Sequence, residues 1–137
     1  IKKIGGNDKS IILKPNISFK DLYELYKKSQ IFWHIAGFGV DENKNPELAE
    51  HFGLSPLEAM AMGCITFTYN AGGLKETIEN GKNGFLFDTT NELIKKTSDV
   101  ITNEALLNEI RKKAKSDVIK KFSYSTFKKN VLSVINN

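Results

Sequence analysis

Cysteine, tryptophan and proline are nearly missing from this chain: 137 residues hold one Cys, one Trp and three Pro. A single cysteine, Cys64, excludes an intramolecular disulfide and leaves no second thiol at metal-ligand spacing. It stands in Cys64-Ile65-Thr66-Phe67, a run that reads as a buried strand with the thiol as a small core group. No apolar run approaches 20 residues and no leader pattern is visible, so neither a spanning segment nor export is expected, and a reducing cytoplasm is the natural compartment. Charge of one sign is also lacking. The net +4 comes from lysines spread among acids, and aromatics do not alternate with basic residues as a base-stacking surface requires, so no nucleic-acid partner is expected. Such a surface suits a phosphate-bearing ligand or, at most, peripheral contact with an anionic membrane face.

What is present is ordinary for a globular protein: 40% hydrophobic and 26% charged residues, in a length that fits one domain with its own core. Ile11-Ile12-Leu13, followed by Pro15-Asn16, reads as a strand ending in a turn. Ser18 opens a helix predicted to run to about Lys28, with Leu22, Leu25 and Tyr26 at helical spacing. Ile31-Phe32-Trp33-His34-Ile35 suits a strand buried on both faces. Residues 36–50 form a long polar loop, and a loop of that length inside a small domain is usually functional or mobile. A helix over 55–62 closes at Gly63, a strand covers 64–69, and Gly72-Gly73 marks a turn before a helical segment at 74–78. Asn80-Gly81 and Asn83-Gly84 are turn signals ahead of the strand Phe85-Leu86-Phe87. From Thr90 the pattern is helical, with a last helix starting at Ser123.

Strand and helix in alternation imply an α/β fold, a Rossmann-like parallel sheet with helices on both faces. Ile4-Gly5-Gly6 looks like a strand end, yet it lies too close to Ile11 for a parallel crossover. Residues 1–10 are therefore read as a lead-in tail or a truncated first unit, and 11–137 as the domain.

In such sheets ligands bind at the carboxyl ends of the strands. The segment Glu50-His51-Phe52-Gly53-Leu54-Ser55-Pro56-Leu57-Glu58 falls there. Gly53 permits close backbone approach, and the amides of 52–55 would meet an anion such as a diphosphate at a helix N-terminus. Glu58, on the first turn, could accept hydrogen bonds from vicinal hydroxyls. The same letters support a structural reading, since Ser55-Pro56-Leu57-Glu58 has the form of a capping box with Glu58 as its acid.

Four ordered motifs carry a resemblance. Glu50 and Glu58 with seven residues between, then Ala59-Met60-Ala61-Met62-Gly63, resemble the E-x7-E signature of family 4 glycosyltransferases. Gly72-Gly73-Leu74-Lys75-Glu76 resembles that family's GG-x-x-E. Residues 80–87 resemble its D-G-x-N-G-L-L-V run, and Lys121-Phe122-Ser123-Tyr124 resembles its F-S-W. The resemblance implies one half of a GT-B fold, the C-terminal donor-binding domain of a retaining transferase. It implies a nucleoside-diphosphate sugar as substrate and partner, with no cofactor and no obligatory metal.

By carry-over Glu50 is the catalytic candidate, lying near the donor sugar or its phosphate. Glu58 binds the ribose; Phe52, Gly53 and Leu54 hold sugar hydroxyls and phosphate through their backbone, and His51 contacts the donor. His34, Gly37, Gly72 and Gly73 are secondary candidates. His34 also reads as a satisfied core histidine, and the two glycines also read as a tight turn. Neither histidine has a partner at metal spacing, and Asp41-Glu42 is not the D-x-D of metal-dependent transferases. The family's cations for the diphosphate and its N-terminal acceptor-binding domain are not found in this sequence, so the chain alone is expected to be inactive. Two other readings stay open: half of a sugar-nucleotide epimerase on the same fold, and a non-catalytic Rossmann-like binding module.

Overall fold

Ser18 sets the first helix. Its hydroxyl accepts the Asp21 N–H at 3.1 Å, capping α1 (Phe19–Lys28), whose Asp21 in the first turn and Lys27 and Lys28 in the last suit the helix dipole. The computed structural model describes residues 10–136; the strand end expected at Ile4-Gly5-Gly6 lies outside them. After α1 come β1 (Ile31–His34), a short 3-10 turn at Pro46–Leu48, α2 (Leu54–Met62), β2 (Ile65–Tyr69) and α3 (Leu74–Thr77). The chain continues through β3 (Phe85–Phe87), α4 (Thr90–Ile101), α5 (Glu104–Phe122) and α6 (Tyr124–Ile135).

Among the described residues the sheet has the order β1-β2-β3, with both pairings parallel and Ile31 opposite Ile65 and Phe67 opposite Phe85. Side chains alternate between the two faces of a strand, and both faces here are covered by helices. Ile65, Phe67, Phe85 and Phe87 pack with Leu93 and Val100 of α4 and Leu107 and Ile110 of α5. The Phe67 and Phe85 rings stack at 4.8 Å. On the opposite face Leu86 packs with Leu57 and Met60 of α2 and with Ala114 and Val118 of α5. Phe32 packs there with Leu22 and Tyr26 of α1, Ala59 and Cys64. The long α5 serves both clusters through its two halves. Each fully buried large side chain contributes about 1.5–3 kcal/mol.

A polar knot joins the turn before β3 to α5. Asn83 is fully buried; its Oδ1 accepts the Glu79 N–H at 2.8 Å and its Nδ2 donates to Asp117 Oδ2 at 3.0 Å. Lys113 Nζ donates to the same carboxylate. Burial opposes ionisation of Asp117, but the Lys113 and Asn83 hydrogen bonds outweigh it and hold the carboxyl below its usual range. Asn83 is thus a structural hub as well as the turn residue its sequence context announces.

Three expectations need correction. Ile11, Ile12 and Leu13 form no strand and are exposed. An apolar triplet becomes a strand only where a neighbour supplies ladder hydrogen bonds and cover, and no described strand pairs with it. β1 is not buried on both faces either. It is an edge of the described sheet, and Trp33 is 49% exposed with its Nε1–H donated to Thr97 Oγ1 of α4 at 3.1 Å. The sequence reading also runs α4 and α5 together; the helical run breaks between them at Thr102-Asn103, where Asn103 caps α5, and a 3-10 turn interrupts the loop at Pro46–Leu48. The other elements fall where the sequence reading has them, within a residue or two at the ends. Among the described residues no helix is long and apolar enough to cross a membrane.

Candidate functional site

The sheet's carboxyl end is built by two loops that meet. After β1 the chain runs out through residues 36–50, and after β2 it turns at Gly72-Gly73 into α3. The Gly73 N–H donates to the Glu50 carbonyl at 3.0 Å. A Cβ on Gly72 would overlap that carbonyl oxygen, and one on Gly73 would overlap the His51 carbonyl oxygen. The glycine pair is therefore a gap that admits another stretch of backbone, which neither a simple turn nor a ligand wall would require. Glu42 fastens the outer part of the loop to the same place: its carboxylate accepts the Gly72 N–H at 2.8 Å and pairs with Lys75. Those two partners hold Glu42 below the ordinary carboxylate range, with Lys75 the stronger influence. Gly37, at φ +75°, brings the start of the loop against the Glu50 amide.

These contacts deliver Glu50 to a fixed position. Its Oε1 accepts the Gly53 N–H at 3.1 Å and the Phe52 N–H at 3.4 Å. Its Oε2 lies 3.2 Å from His34 Nε2, at the end of β1. Burial disfavours the charged carboxylate, yet the Phe52, His34 and Gly53 hydrogen bonds together hold it below the usual range. Two of the amides expected to receive an anion are thus already facing a carboxylate. A phosphate oxygen there would meet like charge. A hydroxyl suits the spot, since it can accept from an amide and donate to Glu50.

The capping-box reading of Glu58 does not hold. The N-cap of α2 is Gly53, at φ +79° with no side-chain cap, and Ser55 lies inside the helix. Only a residue without a Cβ enters the left-handed region at low cost, so Gly53 decides where α2 begins. Glu58 instead shares a small apolar cleft with Tyr26 of α1. Burial raises the Tyr26 phenol above its usual range and the nearby Glu58 carboxylate raises it further, against a lowering by the Ser55 hydroxyl. Glu58 also borders a largely apolar cleft of about 730 Å³ with Phe52, Leu54, Lys121, Phe122 and Tyr124.

His51 lines a more polar cleft of about 550 Å³ with Glu42, Glu47 and Gly72. The structure thus brings Glu50, His34, Gly37, Phe52, Gly53, Gly72 and Gly73 into one cluster. Leu54 and Glu58 lie on the apolar cleft, with Phe52 bordering both groups through its edge-to-face contact with Phe122 at 5.7 Å. Among the described residues no group of three or more His, Cys, Asp or Glu side chains is arranged to hold a metal ion.

Sequence reasoning missed Glu42, whose partners lie about 30 residues away, and Tyr26, whose helical spacing marks it only as core. It also missed Lys121 and Phe122 as cleft walls. For these two a signal existed, because they stand in the motif near the C-terminus that was read for family likeness alone.

The profile of the family described as Glycosyl transferases group 1 matches residues 1–117. A sucrose synthase of Melioribacter roseus is 36% identical over 95 residues, which is 65% of this chain and 12% of that protein. A glycogen synthase of Pseudomonas fluorescens is 39% identical over 81 residues, 56% of this chain and 16% of that protein. The match therefore spans well under a third of either relative. The crystal structure of Anabaena HepE in complex with UDP superposes with a TM-score of 0.70 at 23% identity, covering 82% of this chain and 29% of that one. The C-terminal domain of a glycosyl transferase group 1 family protein from Francisella tularensis superposes with a TM-score of 0.65 at 23% identity, covering 83% of this chain and 53% of that one. At these identities the likeness shows the fold, the Rossmann-like α/β half of a GT-B arrangement.

Proposed function

The chain belongs to the family Glycosyl transferases group 1, and we propose that residues 11–137 bind the nucleoside-diphosphate sugar for a family 4 transferase that retains anomeric configuration. The observation that carries this reading is the Glu50 carboxylate facing the Phe52 and Gly53 amides beside the start of α2. That set of acceptor and donors complements a sugar hydroxyl. The first turn of α2, past the two amides that Glu50 occupies, is the part of the helix N-terminus left to supply positive potential for the diphosphate. Glu58, on the same helix at the edge of the cleft, takes the ribose hydroxyls. The cleft walls around Phe52 and Phe122 offer aromatic faces to a nucleobase.

In the reaction the bond between the anomeric carbon and the leaving phosphate oxygen breaks, with charge developing on both. The acceptor oxygen bonds to that carbon on the face the phosphate leaves, and the acceptor proton passes to the leaving phosphate. Fixed dipoles that support the departing diphosphate lower the barrier without reorganising, and the scheme requires no metal. Acceptors of glycan or lipid-linked type fit this chemistry, in a cytoplasmic protein with at most peripheral contact to the inner membrane face.

The test is twofold. Uridine, guanosine and adenosine diphosphate sugars are titrated against the protein while the amide resonances of residues 52–54 are followed. Binding of none of them, or binding that leaves these resonances unmoved, defeats the proposal. Proton NMR of the first-formed product of the full protein then reads the anomeric configuration, and an inverted product removes the retaining assignment.

A further inference from the structure

Glu50 arrives on a long loop, so no strand or helix fixes its side chain. The backbone is held by the Gly73 hydrogen bond and by Gly37, but neither contact sets the direction of the carboxylate. Two groups do. The amides of Phe52 and Gly53 engage one oxygen, and His34 Nε2, 3.2 Å away, engages the other.

The two oxygens thus have different partners on different elements, which fixes the plane of the group. The His34 side chain is 13% exposed and the Glu50 side chain 28% exposed. The imidazole lies on the Phe32 ring with centroids 6.2 Å apart and planes 23° from parallel, and His34 is paired in the sheet with Thr68. The ring is therefore anchored by a strand and an aromatic neighbour, whereas its partner is anchored by a loop. An ionised carboxylate accepts only, so Nε2 carries the proton; this tautomer is assigned from the partner.

We propose that His34 is a positioning residue for Glu50: by donating Nε2–H to Oε2 it keeps Oε1 directed at the Phe52 and Gly53 amides, where a donor-sugar hydroxyl is to bind. The role rests on the proposed function for its catalytic consequence, while the clamp itself is a property of this chain. When a hydroxyl inserts at the amides, Oε1 changes partners and His34 retains Oε2. The carboxylate then stays in place as the ligand enters.

Two variants separate the clamp from mere core filling. In His34→Gln the terminal amide nitrogen reaches about as far as Nε2 and can donate the same hydrogen bond. In His34→Phe the ring volume is kept and the donor is lost. The first readout is an amide NMR titration of this chain from pH 3 to 6, in which Phe52 and Gly53 report ionisation of the carboxylate they touch. The nearby ionisable groups, His51 and Glu42, remain unaltered in every variant.

The Phe variant should move the midpoint upward, because the charged form loses a donor, and the Gln variant should return most of the way to wild type. Wild-type protein alone also gives an answer: the His34 ring resonances must show a step at the Glu50 midpoint. Its absence overturns the proposal even if a variant fails to fold. The second readout is donor turnover by the full protein. There His34→Phe should lower kcat about tenfold or more with a smaller change in KM, as loss of one hydrogen bond to a charged group would, and His34→Gln should restore most of it. An unshifted midpoint in a folded Phe variant overturns the clamp, as does a Gln variant no better than Phe. Absence of donor binding or turnover in the wild type defeats the functional reading and leaves the clamp standing on its midpoint shift.

Discussion

The loop that carries Glu50 and the helix that carries Glu58 hold the same side chain in opposite ways. Glu50 is fixed in part from outside its own loop: amides two and three residues on hold one carboxylate oxygen, but His34 from the strand before it engages the other, and Gly73 from the turn after β2 holds its backbone carbonyl. Glu58 is fixed by its own helix, with Met60 and Leu57 beside it in the core and one phenol, Tyr26, at its carboxylate. A group held from a second element as well as its own loop keeps its direction while a ligand comes and goes, and suits the reacting end of a donor. A group on a helix face beside an open cleft suits recognition of a remote part of the ligand. The difference teaches that the two halves of a sequence motif need not share a mode of support.

The largest effect that can break this contrast is steric. Gly73→Ala drives a Cβ into the His51 carbonyl, so the Glu50 loop must leave its place. We expect a loss of about 3 kcal/mol in denaturant melts, together with loss of the Gly53 amide shift that reports Glu50. Preservation of both would show that the loop is held elsewhere.

Next in size is the pair Glu50→Gln and Glu58→Gln, assayed for donor turnover by the full protein. Removing the charge at Glu50 should lower kcat by roughly a hundredfold, as for loss of a preorganised electrostatic group. Removing it at Glu58 should raise KM for the donor roughly tenfold, the size of one hydrogen bond to a charged group, with kcat little changed. A kcat effect at Glu58 that equals the one at Glu50 would erase the distinction.

Acid stability sharpens the Glu50 side alone. Its pKa in the folded chain is depressed, so the stability it contributes is present above the unfolded value of about 4.3 and is lost as pH falls through the folded value. Thermal melts between pH 6 and 3 should fall less steeply for Glu50→Gln than for wild type; parallel curves would mean that the amide and His34 contacts do not persist in solution. The smallest effect concerns Tyr26→Phe, which removes the hydroxyl facing Glu58 and keeps the ring against Phe32. A loss of about 1 kcal/mol in melts is expected, and a change of about twofold at most in donor KM, checked by titration.

Much of the fold was legible because its signals are local. Ser18 and Ser123 announce helix starts and do cap α1 and α6. Apolar runs bounded by glycine and asparagine gave the three strands, and their alternation with helices gave a parallel sheet. The strand failures have one cause. Ile11-Ile12-Leu13 has strand composition but no pairing neighbour among the described residues, and composition cannot supply one. Of the candidate site, the segment from Glu50 to Glu58 was legible through its glycine and its spacing. Its wiring was not: the contacts of Glu42 with Gly72 and Lys75, of His34 with Glu50 and of Tyr26 with Glu58 each join residues 16 to 33 apart.

The sequence by itself determined the order of elements, because periodicity, caps and glycine preferences act within a few residues of the chain. Its ordered motifs carried the resemblance to a glycosyltransferase family and marked 50–58 as the candidate stretch. Only the tertiary structure decided that Gly72 and Gly73 are a gap for the Glu50 and His51 backbone, that Gly53 rather than Ser55 caps α2, and that Glu50 covers the amides a phosphate was expected to find. Each of these depends on which surfaces come within about 3 Å once helices cover both faces of the sheet, and no local preference encodes a distance between loops that follow different strands.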